Sequence, residues 1–154
     1  MKNPRRCIYP AIIIATAALL YGWYFYNDYY NKLDSKTSFR GLPITIEFRK
    51  GDTKSGTDVF GNYWEKTMLH DYGYFDGIMG ADGQELDVYI NPDTSTDKIF
   101  RVTQLNVKTQ EFDEYKIMLN FESIDDALAG YLKNYPKDWK GFGGIEEITL
   151  EDIK

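Results

Sequence analysis

The chain has a single cysteine, Cys7, in 154 residues, so it can close no disulfide within itself, and its redox compartment cannot be read from cysteine usage. A zinc site of the Cys/His type is excluded for the same reason. Histidine is equally scarce: His70 stands alone, and no serine or cysteine falls in a recognisable partnership with it, so it reads as a loop residue. Positive charge is also short. The formal net charge is −6, and because residues 1–26 carry Lys2, Arg5 and Arg6 with no acid, the remainder stands at −9 once those three charges are set aside. A domain of that sign repels nucleic acid and phosphate esters unless metal ions intervene. The chain has no internal repeat and no low-complexity segment.

Hydrophobic residues make up 43% of the chain, enough for one domain of about 110 residues with its own core. The first 7 residues are basic, and the stretch Ile8 to Tyr26 carries no charge. At helical rise its roughly 19 residues span a bilayer core of about 30 Å, which predicts a transmembrane anchor. Tyr21, Trp23, Tyr24, Phe25 and Tyr26 crowd its C-terminal end, where amphipathic rings prefer the headgroup zone. A cleaved signal peptide ending at Ala15-Thr16-Ala17 is the rival reading, but bulky aromatics follow it instead of a polar region. Basic residues on the two sides nearly balance, and the tighter cluster before the span places the N-terminus inside, in a single-pass topology. Residues 27–41 lack a hydrophobic period and read as a tether, so the folded domain occupies 42–154.

Within that domain, Ile44 to Phe48 alternates with period two and predicts a strand from which Glu47 emerges near the end. Lys50 to Gly61, rich in Gly, Thr, Ser and Asp, reads as a loop. Asp87 to Ile90 reads as a strand, and Ile99 to Leu105 with Phe112 to Leu119 as an antiparallel pair joined through Lys108-Thr109-Gln110. Ser123, with Asp126 three residues on, predicts a helix start, and Ala127, Leu128, Tyr131 and Leu132 supply its apolar stripe until Pro136. The tail from Gly143 predicts a strand and a last helical turn capped by Thr149.

The chemistry concentrates in YGYFDGIMGADGQELDVYI, residues 72–90. Asp82, Gln84 and Asp87 surround Gly83 at a strand entrance, an oxygen-rich cup suited to a hard divalent cation. Asp82-Gly83 by itself is more often a hairpin turn than a metal ligand. Glu114 and Lys116, two apart, share a strand face and by themselves are equally a surface ion pair. Tyr74, Trp64 and Trp139 read as sheet or packing residues.

Tyr72-Gly73-Tyr74 followed ten residues later by Asp82-Gly83-Gln84-Glu85-Leu86-Asp87-Val88 resembles the signature of soluble family I inorganic pyrophosphatases, YGY or YGF to DGDPxDV. The segments IEF…SGTD…G..WE..M, HDYGY…G..GADG..LDVYI, FDEYKIML and YLKNYPKDWKGFGGI also resemble the short pyrophosphatase-like domain of phage and mobile-element polyvalent proteins, over about residues 43–154. The resemblance implies an α+β fold, a small, mostly antiparallel β-barrel-like sheet with a flanking helix, here preceded by the anchor. It implies a Mg²⁺-dependent phosphohydrolase acting on pyrophosphate or another small phosphoanhydride, because bound Mg²⁺ cancels phosphoryl charge and produces a nucleophile at neutral pH. On this resemblance Asp82, Asp87, Glu114 and Glu47 hold metal. Lys116 binds phosphate oxygens, Tyr72 donates a hydrogen bond, and Lys54 stands at the place of another phosphate-binding lysine.

Two departures bear on activity. Gln84 occupies the position of the family's proton-accepting aspartate, and an amide can orient water but cannot take its proton, a loss of about 10² to 10⁴ in rate. The aspartate that the family carries shortly before the Glu114 position has no counterpart, its place falling near Thr109. A weakly active hydrolase and an inactive module that binds phosphate or metal are therefore both open readings.

Overall fold

Alternation of β-branched and aromatic residues with polar ones between residues 42 and 119 is realised as sheet. The computed structural model describes residues 35–58 and 60–153. Among these, the strands are β1 (Lys36–Phe39), β2 (Leu42–Phe48), β3 (Thr53–Thr57), β4 (Tyr63–Thr67), β5 (Asp71–Met79), β6 (Glu85–Ile90), β7 (Ile99–Leu105), β8 (Phe112–Leu119) and β9 (Phe142–Ile148). Helix α1 (Ile124–Leu132) lies between β8 and β9, and a 3-10 turn, Leu150–Ile153, follows. One sheet has the order β1-β2-β5-β6-β8-β7-β9, and β3 and β4 form a separate two-stranded ribbon. The fold is thus mostly sheet with one helix, as expected. The segment Ile8 to Tyr26 lies outside the described residues, and among the described residues no helix is long and apolar enough to cross a membrane.

Three sequence expectations need correction. Lys36–Phe39, assigned to the tether, is a strand that turns into β2 through Arg40 and Gly41, both at positive φ (47° and 84°), the geometry of a tight two-residue hairpin. The Lys50–Gly61 loop contains β3, antiparallel to β4 with Gly56 opposite Trp64. A Cβ at Gly56 would come within 2.8 Å of the Trp64 ring, so this glycine makes room for an indole rather than breaking a strand. In α1 the buried residues are Ala127, Gly130 and Tyr131, whereas Leu132 is 40% exposed. The predicted cap is present: Ser123 Oγ accepts from the Asp126 amide at 3.1 Å.

β6 and β8 at the centre of the sheet run parallel, Asp87 opposite Lys116 and Val88 opposite Ile117. β5–β6, β7–β8 and β7–β9 are antiparallel. Alternate residues of these strands enter two cores. Ile44, Phe75, Val88, Ile99, Ile117 and Leu119 pack on one face. Tyr72, Tyr89, Phe100, Val102 and Met118 pack on the other, beneath Ala127 and Tyr131 of α1.

At Gly73 of β5 a Cβ would lie 1.9 Å from the Thr45 carbonyl oxygen of β2. Backbone cannot yield as a flexible side chain does. Gly73→Ala is expected to destabilise the domain by about 2 to 3 kcal/mol, read as a lower denaturant midpoint at unchanged m-value. An unchanged midpoint would show that β2 and β5 can separate without cost.

Candidate active site

Because side chains repeat on one face every second residue, Asp87 shares the face of Tyr89, Lys116 that of Met118, Gln104 that of Val102, and Tyr72 joins them from β5. All therefore project on the α1 side, at the end of the aromatic core. There the Lys116 Nζ lies 2.5 Å from Asp87 Oδ2 and 3.0 Å from Glu114 Oε2. Tyr72 donates its hydroxyl to the same Asp87 oxygen at 2.6 Å. Gln104, opposite Glu114 in the ladder, donates to Glu114 Oε1 at 2.6 Å. The Gln104 Oε1 in turn accepts from Tyr131 (2.9 Å) and Tyr135 (3.1 Å). The network thus ties four strands, β5, β6, β7 and β8, to the C-terminal part of α1 and the loop after it.

The Lys116 side chain is 7% exposed, and its two carboxylate partners 21% and 22%. Burial alone would lower the lysine, but Asp87 and Glu114 outweigh it and hold its pKa above the ordinary value. The Glu114 carboxyl is raised, because desolvation exceeds the opposing pull of Lys116. Burial, with the Asp87 charge and hydrogen bond, pushes the Tyr72 phenol far up, so it is a neutral donor throughout the physiological range. The Lys54 Nζ sits 3.6 Å from the centre of the Tyr72 ring, lowered first by desolvation and then by Lys116. Lys66 is lowered to about 8, by desolvation first and then by Lys54 and Lys116.

Of the expected site residues, Asp87, Glu114, Lys116, Tyr72 and Lys54 are brought together. Asp82 and Gln84 lie in the exposed turn before β6. Asp82 Oδ1 accepts there from the Gln84 amide at 3.0 Å, and the Gln84 carbonyl accepts from the Gly80 amide at 2.6 Å. Asp82 therefore caps its own turn. Glu47 is exposed and is the extra residue of a bulge, since Ile46 faces Gly73 and Phe48 faces Tyr72; its charge reaches Lys54. Sequence reading missed Lys66, Gln104, Tyr131 and Tyr135. Lys66 lies inside the WE..M segment quoted for the resemblance, and Tyr135 inside YLKNYPKDW, so both were visible as pattern but given no role.

Among the described residues no three acidic, histidine or cysteine side chains converge closely enough to form a metal cage. Mg²⁺ does not require one: it is commonly held by one or two carboxylates together with substrate phosphates and water. Asp87 and Glu114 are the two carboxylates that the site brings together, both within 3.0 Å of the Lys116 Nζ. Lys116 neutralises them as a cation would.

The chain matches the sequence model of the inorganic pyrophosphatase family over residues 26–154. Comparison with curated proteins finds no match. Among solved structures, an inorganic pyrophosphatase from Coxiella burnetii is similar at 16% sequence identity, over 68% of this chain and 84% of that chain, with a TM-score of 0.35.

Proposed function

We propose that this chain, which belongs to the inorganic pyrophosphatase family, is a slow Mg²⁺-dependent hydrolase of pyrophosphate or another small phosphoanhydride. The observation that supports it best is the buried Lys116 ammonium between Asp87 and Glu114, with Lys54 beside it over the Tyr72 ring. Lys54 has no salt-bridge partner among the described residues, so its charge is available to a polyanion. In this reading Asp87 and Glu114 would hold Mg²⁺, together with substrate phosphate and water. The ion supplies charge neutralisation and an acidified water. Lys116 and Lys54 hold phosphoryl oxygens, and Tyr72, by donating to Asp87, fixes the orientation of that carboxylate. Gln84 can position a water but leaves its proton without the family's acceptor, which is why turnover is slow.

Adding Mg²⁺ should raise the melting temperature of the full chain and permit phosphate release from pyrophosphate. Asp87→Ala should remove both effects. If the metal-induced shift survives Asp87→Ala, the ion is bound elsewhere.

The inactive binding-module reading is favoured by one observation: Asp87 Oδ2 is already engaged by Lys116 and Tyr72, and Gln84 is an amide. That reading stands if pyrophosphate and Mg²⁺ bind without phosphate release.

The proposal includes a membrane tether. The family match begins at residue 26, where the uncharged stretch Ile8 to Tyr26 ends, so that stretch is additional to the family's domain. The full protein is then expected to stay in the membrane fraction through alkaline carbonate washing, and its release would remove the anchor from the proposal.

A further inference from the structure

Next to the lysine cluster lies a cavity of about 480 Å³ with three aromatic rings, those of Trp64, Tyr135 and Trp139, in its walls. Trp64 of β4 lines one part. Tyr135, Pro136 and Trp139, in the segment after α1, line another, with Tyr135 and Trp139 stacked at 3.8 Å between centroids and 13° between planes. The Lys66 Nζ lies 5.7 Å from the Trp64 ring and 5.2 Å from the Tyr135 ring, and Lys133 adds a second positive charge to a lining that also carries the carboxylates of Asp58 and Glu65.

Two residues join this cavity to the candidate active site. Tyr135 donates to Gln104, which donates to Glu114. Lys66 stands directly opposite Lys54 in the β3–β4 ladder, so the two ammonium stems share one face of the ribbon. A bare diphosphate, small and fully hydrated, gains nothing from indole and phenol walls. A planar heteroaromatic ring gains stacking from each face it covers. Asn134 also lines the cavity, is 9% exposed, and its Nδ2 donates to the Gly130 and Tyr131 carbonyls at the end of α1.

We propose that the cavity holds the base of a nucleoside polyphosphate whose phosphoanhydride lies across Lys66 toward Lys54 and Lys116. The proposal rests on the phosphoanhydride reading of the site and specifies its substrate class. Trp64 and the Tyr135–Trp139 stack are the base platform, and Lys66 is the bridge from ring to phosphates.

The test is calorimetric titration of the full chain, in Mg²⁺, with adenosine triphosphate and with inorganic tripolyphosphate, which has as many phosphoryl groups and no ring. Adenosine triphosphate should bind about tenfold more tightly or better, the range of one to two stacked faces. Trp64→Ala should erase that ratio, and Trp64→Phe should restore part of it. Trp139→Leu serves the same purpose should Trp64→Ala fail to fold. Equal Kd values for the two ligands overturn the cavity assignment and leave the phosphoanhydride reading intact. Tripolyphosphate binding that is absent together with that of adenosine triphosphate overturns both. A ratio that persists in Trp64→Ala and in Trp139→Leu overturns the base platform.

Discussion

Lys116→Met is expected to lower pyrophosphate turnover by about 10² to 10³-fold, the usual cost of removing a preorganised group aimed at developing phosphoryl charge. The same substitution should destabilise the fold by about 3 to 5 kcal/mol, because Asp87 and Glu114 are left with no cation in a poorly solvated place. The two effects separate by pH. Without Lys116 the Glu114 carboxyl, already raised by desolvation, loses the cation that opposes that rise, and a carboxyl raised in the folded state contributes stability at low pH that is lost as pH climbs through its folded value. The stability deficit should therefore shrink as pH falls from neutral, whereas turnover should not recover. Chemical denaturation across an acid-to-neutral series, beside single-turnover phosphate release, reads both. A deficit that is the same at every pH would show that the ammonium does not compensate these carboxylates, and the site would need rebuilding around Lys54 and Lys66.

Lys116 also shows what sequence pattern can and cannot convey. Its place in FDEYKIML marks it through the resemblance, yet Lys116 to Leu119 are buried in succession because β8 is covered on both faces. A run buried on both sides carries no alternation, so the pairing of β8 with β6, and its parallel direction, could not be read. The β7–β8 hairpin was legible because both strands are long and end at a polar turn closed by Gln110 at a φ of 60°. β3 was not, since its residues are ones that pattern assigns to loops, and only Trp64 across the ribbon explains Gly56.

The candidate site divides in the same way. Asp87, Glu114, Lys116 and Tyr72 follow from local motifs, each on a strand whose register carries it to one face. Gln104 and Tyr135 are placed by long-range packing, 10 residues from Glu114 in one case and 31 from Gln104 in the other. Nothing local marks them. Asp82 was grouped with Asp87 by closeness in sequence, and the turn instead engages it with the Gln84 amide. Compact spacing around a glycine is as good a turn as it is a cup.

That turn holds the second large effect. On the proposed reading, Gln84→Asp restores a carboxylate at the position where the family has its proton acceptor, and it is then expected to raise pyrophosphate turnover by about tenfold or more. Gln84 is exposed and its backbone, not its side chain, makes the turn's hydrogen bonds, so the substitution should leave stability nearly unchanged. The gain should depend on the rest of the site: combining Gln84→Asp with Lys116→Met should abolish it, because a restored base is useless where the transferred phosphoryl group is not held. Steady-state phosphate release for the native chain, both single variants and the double variant closes the cycle. If Gln84→Asp raises turnover equally with and without Lys116, the two residues serve different steps. If native turnover already equals that of Gln84→Asp, the proton acceptor is another group, and Glu114, the site carboxyl whose pKa is raised, becomes the residue to replace next.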